Sequence, residues 1–345
     1  MTPEHFRLWD RFQQANSDLA NPHFRPELFQ AVSRVLPSLE VVVVRESEEI
    51  CGFFPFSRGD NDRGTPFAQH MSDMEGMISA TPLAIAPLDL LTAAELASWE
   101  FHHVPTTQPI FADHHHVTGE CPYMDLSDGF EAYRRRQREA GHSELQNALR
   151  KSRKIERELG PLRFVPQSTD LAVLDQLLDW KSQQLQFLKL PNGLIKPWVR
   201  PLFEDLLSVD TPCFAGMLSS LYVGDSLAAV SLGLRSDSVL HGWVTSYNVE
   251  LQKYSPGLLL LIEMAKHCET AGLRRIDMGQ GPESYKQSFR SGGVELAAGV
   301  VDARRVRAAM SRGISAAKKF VKSTSWGESA KSILDRYRVA QQSSD

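Results

Sequence analysis

The pattern between residues 214 and 301 constrains this chain most. Three apolar strand-like runs are joined by tight polar turns, and a helix, a strand, a short helix and a last strand follow. Residues 214–223 and 226–234 flank Gly224 and Asp225, a two-residue hairpin signal, and the run 239–244 follows Ser236 and Asp237. The result is a three-stranded antiparallel meander. It leads through 247–255 into a leucine-rich helix at 257–270, a strand at 274–278, a short helix at 284–289 and a strand at 294–301. A chain with this order builds a mixed sheet with helices packed on it, an α+β fold.

The first half carries similar ingredients in a less regular order. Phe6, Leu8, Trp9 and Phe12 have helical spacing, as do Leu28, Phe29 and Val32 after the break at Asn21 and Pro22. Residues 39–44 and 50–56 read as a hairpin, 77–96 as helix interrupted by Pro82 and Pro87, and 99–104 as a strand. Residues 130–159 read as one long helix dense in Arg and Lys, stopped by Gly160 and Pro161. A strand at 162–165 and helices at 171–188 and 198–207 complete the connection to the meander, and the tail from Arg304 reads as a basic amphipathic helix. The expected division is an N-terminal half at 1–128, a basic connecting helix at 129–160, a C-terminal half at 161–303 and a basic helical tail at 304–345.

Charge and motif content narrow the function. Lys and Arg number 38 against 42 Asp and Glu, a net charge of -4, so the positive field of a dedicated nucleic-acid binder is missing and no nucleic-acid partner is expected. The 4 cysteines are far apart with no CxxC pair, which argues against structural zinc and disulfides. His114, His115 and His116, near His102 and His103, read as a solvated loop, because neighbours on an extended chain point to opposite faces; no metal is expected. Met1 is followed by no apolar targeting segment and the longest apolar run, 258–262, is too short to cross a bilayer, so a soluble cytoplasmic protein is expected. GxxxxGK[ST], HExxH and GxSxG do not occur, and Gly279-Gln280-Gly281, with Ser284 where a third glycine belongs, reads as a turn.

The segment Gln252, Lys253, Tyr254, Ser255, Pro256 and Gly257 lies between a strand and a helix. The N–H groups and positive end of such a helix can hold a pyrophosphate; the alternative is a tight helix start with Pro near its first position. Together with 258–261, 272–279, Tyr285, Lys286 and Phe289, this segment resembles the GNAT acyltransferase superfamily, specifically its CelD-type branch linked to cellulose and exopolysaccharide biosynthesis. Asn21-Pro22, Gly52-Phe53-Phe54-Pro55, Ser72-Asp73 and Trp180-Lys181 match that branch in order.

The resemblance implies two GNAT-like halves packed side by side, the C-terminal one the more complete acyl-CoA N-acyltransferase fold, as in the related FemABX aminoacyltransferases. It implies acetyl-CoA or another acyl-CoA as co-substrate, with the pyrophosphate on residues 252–257. The general GNAT loop is [QR]xxGx[GA], and here Ser255 stands where its first glycine belongs. Tyr285 falls where many of these enzymes protonate the leaving thiolate, and Lys286 where a lysine orients substrate. Asp73 or Glu75 would serve as base, with His241 as a second candidate beside Trp243 and Tyr247. Each has a plainer reading: Tyr285 as a packing residue, Lys286 on the surface, Asp73 as a loop cap, Glu75 in solvent and His241 structural. The expected activity is N- or O-acyl transfer to a sugar, amino sugar or related small acceptor. The alternatives are aminoacyl-tRNA-dependent transfer, or an inert accessory protein that touches a synthase or a membrane surface through the basic tail.

Overall fold

The computed structural model describes residues 1–281 and 283–303. The first half runs α1 (Pro3–Ala15), α2 (Pro26–Val35), β1 (Leu39–Glu46), β2 (Glu49–Gly59), β3 (Arg63–Thr65), α3 (Pro87–Ala93), β4 (Ser98–Pro105) and β5 (His115–Asp125). Then come α4 (Phe130–Glu139), α5 (Glu144–Leu159), β6 (Leu162–Val165), α6 (Leu171–Phe187), α7 (Val199–Leu207) and β7 (Asp210–Thr211). The meander is β8 (Phe214–Val223), β9 (Ser226–Arg235) and β10 (Val239–Tyr247). After it stand α8 (Pro256–Thr270), β11 (Arg275–Asp277), α9 (Ser284–Phe289) and β12 (Gly292–Asp302). The fold is α+β, built on a mixed sheet.

One sheet of 12 strands crosses both halves in the order β1-β2-β3-β4-β12-β5-β11-β10-β9-β8-β6, with β7 paired to β8. The last strand, β12, inserts between β4 and β5 and is antiparallel to both, and β5 in turn pairs with β11. Most neighbours are antiparallel; β10 with β11, and β3 with β4, are parallel. Side chains alternate across the sheet, so β8 sends Phe214 and Leu218 into one core and Ala215, Met217 and Leu221 into another. The first core joins α1 and α2 to α6 and α7, with Trp9 stacked on Phe53 at 5.2 Å. On the opposite face α4, α5, α8 and α9 cover the C-terminal strands, while α3 covers an aromatic cluster of Phe54, Trp99, Phe101 and Phe111.

Several expectations are corrected. The helix expected over 77–96 is limited to α3, because Pro82 and Pro87 divide the stretch and the chain before Pro87 is irregular. The helix expected over 130–159 breaks into α4 and α5 around Gly141, whose φ of 80° ends the first. The histidine run is no solvated loop: His115 and His116 open β5 and all three histidines are half-buried. The basic tail from Arg304 lies outside the described residues.

Close approach of β12 to the chain entering β5 requires a glycine, since a Cβ on Gly299 would collide with the His114 carbonyl oxygen. Gly299→Ala is expected to cost about 1–3 kcal/mol by forcing the backbone apart, read as a lower midpoint in thermal unfolding.

Candidate functional site

Asn21 begins the site. Its Oδ1 accepts the backbone N–H of His23 at 2.9 Å and so caps the one-turn helix Pro22–Phe24, as Asn before a turn favours. Its Nδ2 reaches across to Asp277 Oδ2 at 2.7 Å on β11 and to His241 Nδ1 at 3.0 Å on β10. The other ring nitrogen of His241, Nε2, lies 2.8 Å from Asp73 Oδ2. Three distant segments of chain therefore meet on one imidazole, which is wholly buried, as is Asp277. Arg275 balances the Asp277 charge, its Nε 2.8 Å from Oδ1.

The sheet opens at this point. β10 and β11 pair only over Val239–His241 and Arg275–Asp277 and then diverge, β10 continuing to Tyr247 along β9 while the other strand ends. Gly279 then turns with φ of 68°, and a Cβ there would lie 3.6 Å from the Gly242 carbonyl oxygen and 3.7 Å from Asp73 Oδ2. The Asp73 carboxylate thus sits where the two strands part. Burial by itself would raise its pKa, but the hydrogen bond from His241 and the field of the nearby imidazoles overcome this and hold it down at about 2. His23, packed edge-on against His241 with ring centres 4.6 Å apart, is pushed down to about 3 by burial first and by His241 second.

Glu75 is a different kind of carboxylate. It is buried rather than solvated, and Oε1 accepts the backbone N–H groups of His102 at 2.5 Å and His103 at 3.0 Å. Desolvation drives its pKa up to about 7 against these bonds. It ties the loop carrying Asp73 to β4.

Residues 252–257 lie at the far end of β10. A short helical turn, Val249–Tyr254, precedes Ser255, which adopts the left-handed conformation (φ 57°, ψ 54°), and Pro256 begins α8. Ser255 holds a conformation that a glycine takes without strain, and its Oγ accepts from Lys151 Nζ of α5 at 2.7 Å. Tyr254 is buried and donates to Glu158 Oε2 at 2.6 Å, with the Lys253 ammonium 4.9 Å and the Lys154 ammonium 6.0 Å from its ring centre. Gln252 Oε1 is buried with no hydrogen-bond partner among the described residues. A Cβ on Gly257 would meet Tyr247 only at 3.5 Å, so the backbone there is open to close approach. Three ammonium groups around an accessible helix start fit a pyrophosphate.

α9 supplies the remaining pair. Tyr285 is half-buried and packs edge-on against Phe289, and burial, then the charge of Glu283, push its phenol well above the usual range. Lys286 is no surface residue: it is 5% exposed, and Nζ donates to the Gln280 carbonyl and pairs with Glu283 Oε2, both at 3.0 Å. Lys181 of α6 donates to the Thr245 carbonyl of β10 at 3.3 Å; burial chiefly, and Lys286 in part, lower its pKa.

The structure therefore brings Asp73 and His241 into contact, ties Glu75 of the same loop to β4, holds Lys286 on the Gln280 carbonyl just beyond β11, and puts residues 252–257 past the end of β10, while Tyr285 packs on Phe289. Sequence reasoning gave Asn21, Lys181 and Asp277 no role beyond motif matches, gave Lys151 only a share in a basic helix able to attract anions, and gave His23 none. Among the described residues, His23, Asp73 and His241 form the group that could hold a metal ion, their ligand atoms all within 4.8 Å of one another. No helix among these residues is long and apolar enough to cross a membrane.

Residues 142–287 match the family model of the acetyltransferase (GNAT) domain. Comparison with curated proteins finds no match. Among solved structures the chain is similar to FemX, with a TM-score of 0.55 at 11% identity over 86% of this chain and 94% of that one. It is also similar to the C-terminal DUF2156 domain of an Agrobacterium fabrum protein, with a TM-score of 0.52 at 13% identity over 82% and 89% of the two chains. A conserved protein of unknown function from Bacteroides thetaiotaomicron VPI-5482 gives 0.51 at 11% over 86% and 97%. At these identities the likeness is one of fold.

Glu75 makes stability depend on pH with a definite sign. Its folded pKa of about 7 lies above the ordinary 4.5, so the stability contributed by the neutral carboxyl is complete below about 4.5 and is lost as pH rises through about 7. Glu75→Gln keeps an acceptor for the two backbone N–H groups and removes this loss. Urea unfolding from pH 4 to 8 should show the variant gaining up to about 3 kcal/mol relative to the parent across that window.

Proposed function

We propose that this chain is an acyl-CoA-dependent N- or O-acyltransferase whose acceptor is a sugar, an amino sugar or a related small molecule. The observation that carries the reading is the parting of β10 from β11 immediately beyond His241 and Asp277, on a path that ends at the start of α8. A strand edge that loses its partner leaves N–H and C=O groups for an extended ligand, and the helix start beyond it favours an anion. Acetyl-CoA or another acyl-CoA fits both features, with its pyrophosphate against residues 252–257 and Lys151. The bound co-substrate supplies the acyl thioester.

The acceptor nucleophile meets the thioester carbonyl beside Asp73. This carboxylate stays ionised, so it accepts a hydrogen bond from the attacking N–H or O–H, steadies the positive charge that develops there and takes the proton as the new bond to the acyl carbon forms. The carbon–sulfur bond breaks, and Tyr285, which burial keeps protonated, gives its proton to the departing thiolate. Lys286 and Lys181 place positive charge at the same opening, where it offsets the negative charge gathering on the carbonyl oxygen. The CelD-type resemblance favours an acceptor on the way to a polysaccharide.

Titration calorimetry with acetyl-CoA and CoA tests the donor. Saturable binding that weakens at least about tenfold in Gly257→Trp, with the fold unchanged, is the expected result, a loss of about 1.4 kcal/mol. Tyr285→Phe should lower kcat while leaving CoA binding intact, by about 10²-fold for loss of a general acid. Absence of binding at millimolar ligand would overturn the acyl-CoA reading in favour of an aminoacyl-tRNA donor or an accessory role.

A further inference from the structure

We infer that Asn21 is a positioning residue: it locks His241 in the tautomer with its proton on Nε2, so that the imidazole donates to Asp73 and the carboxylate is held at the strand divergence. The functional consequence rests on the transferase reading above; the tautomer itself does not.

The hydrogen-bond inventory leaves a single arrangement. The Asn21 amide is oriented from two sides at once. The backbone N–H of His23 is a donor and requires oxygen opposite it at 2.9 Å, while the Asp277 carboxylate is an acceptor and requires the NH₂ group at 2.7 Å. The second hydrogen of that NH₂ group points at His241 Nδ1, 3.0 Å away. A proton on Nδ1 would set two N–H groups against each other inside a fully buried pocket, where neither reaches water. Nδ1 is therefore the lone-pair nitrogen, the proton sits on Nε2, and it is donated to Asp73 Oδ2 at 2.8 Å. The same logic places the His23 proton on Nδ1, which faces Asn21 Oδ1 at 3.1 Å.

This wiring decides what the His23, Asp73 and His241 cluster does. Metal ligation by His241 needs a lone pair on Nε2, and Asn21 has assigned that nitrogen a proton. The cluster is built to present an oriented, ionised carboxylate. Asn21 touches no reacting atom in this scheme; it acts through His241.

The test is an exchange of the two side chains across one hydrogen bond. In the double variant Asn21→Asp, Asp277→Asn, the amide and carboxylate trade places, the bond between them survives, and position 21 still accepts from the His23 N–H. It now accepts from His241 as well, so the imidazole proton moves to Nδ1. Long-range proton–nitrogen correlation spectra of the full-length ¹⁵N-labelled protein report each ring nitrogen directly. The parent should show His241 with a protonated Nε2 and a bare Nδ1, and the double variant the reverse. Single Asn21→Asp serves as a further variant where the exchange destabilises the chain.

With acyl-CoA turnover established, the exchange should lower kcat about 10–100-fold and leave the KM for acyl-CoA unchanged. A parent protein with its proton on Nδ1 would overturn the inference, as would an exchanged protein with the parental tautomer. Addition of zinc chloride to the parent should leave the His241 ring signals in place; displacement of the Nε2 proton by zinc would identify a metal site instead. The spectra need no co-substrate, so failure of CoA binding would sink the transferase reading and leave the tautomer standing.

Discussion

β12 hydrogen-bonds along both edges at once, to β4 on one side and β5 on the other, and the placement of Asp73 against β10 follows from that double pairing. Glu75 fastens the Asp73 loop to β4, β4 is fastened to β12, β12 to β5, and β5 to β11, which carries Asp277. Asn21 then closes the circuit directly. The sheet ladders thus place the carboxylate, and the side-chain amide orients the imidazole that meets it. Geometry held to a few tenths of an ångström needs both, because a single flexible contact leaves the groups free to drift.

Burial of so many polar groups in one region is costly unless each charge is answered. Asp277 is answered by Arg275 and Asn21, and Lys286 by Glu283 and a backbone carbonyl. Asp73 and Glu75 lie two residues apart on one loop, yet their pKa values are driven in opposite directions. An imidazole N–H meets the first, while desolvation prevails over two backbone N–H groups at the second. Separation of this kind lets one carboxylate remain an acceptor while its neighbour serves as a clasp.

The C-terminal half was legible because its signals are local. The Gly224-Asp225 hairpin, the alternation through β8, β9 and β10, and the Pro256 helix start each depend on residues close in sequence. β5 was not legible. Its sequence includes His115, Gly119 and Pro122, which lack strand propensity, and it is a strand because β12 and β11 flank it. The 77–96 stretch failed for the opposite reason: its leucine and isoleucine spacing has a helical period, and the prolines overrule it. The site residues follow the same division. His241 and Asp73 could be named as chemistry-bearing types, but Asn21, His23 and Asp277 join them only through the fold, and Asn in front of Pro reads locally as a turn cap, a role it also fills.

Ser255 shows how a departure from a motif can be absorbed. The left-handed turn is favoured by glycine because no Cβ opposes it, so a serine there carries strain of about 1 kcal/mol. The side chain that creates the strain also accepts a hydrogen bond from Lys151, a contact that glycine cannot make. That contact draws the α5 ammonium to the start of α8, where the helix dipole already favours an anion. The hydroxyl therefore trades backbone ease for a fixed positive charge at the start of α8. Lys151, which the amino-acid sequence shows only as one of a run of Arg and Lys, is tied by this one bond to the turn that opens that helix.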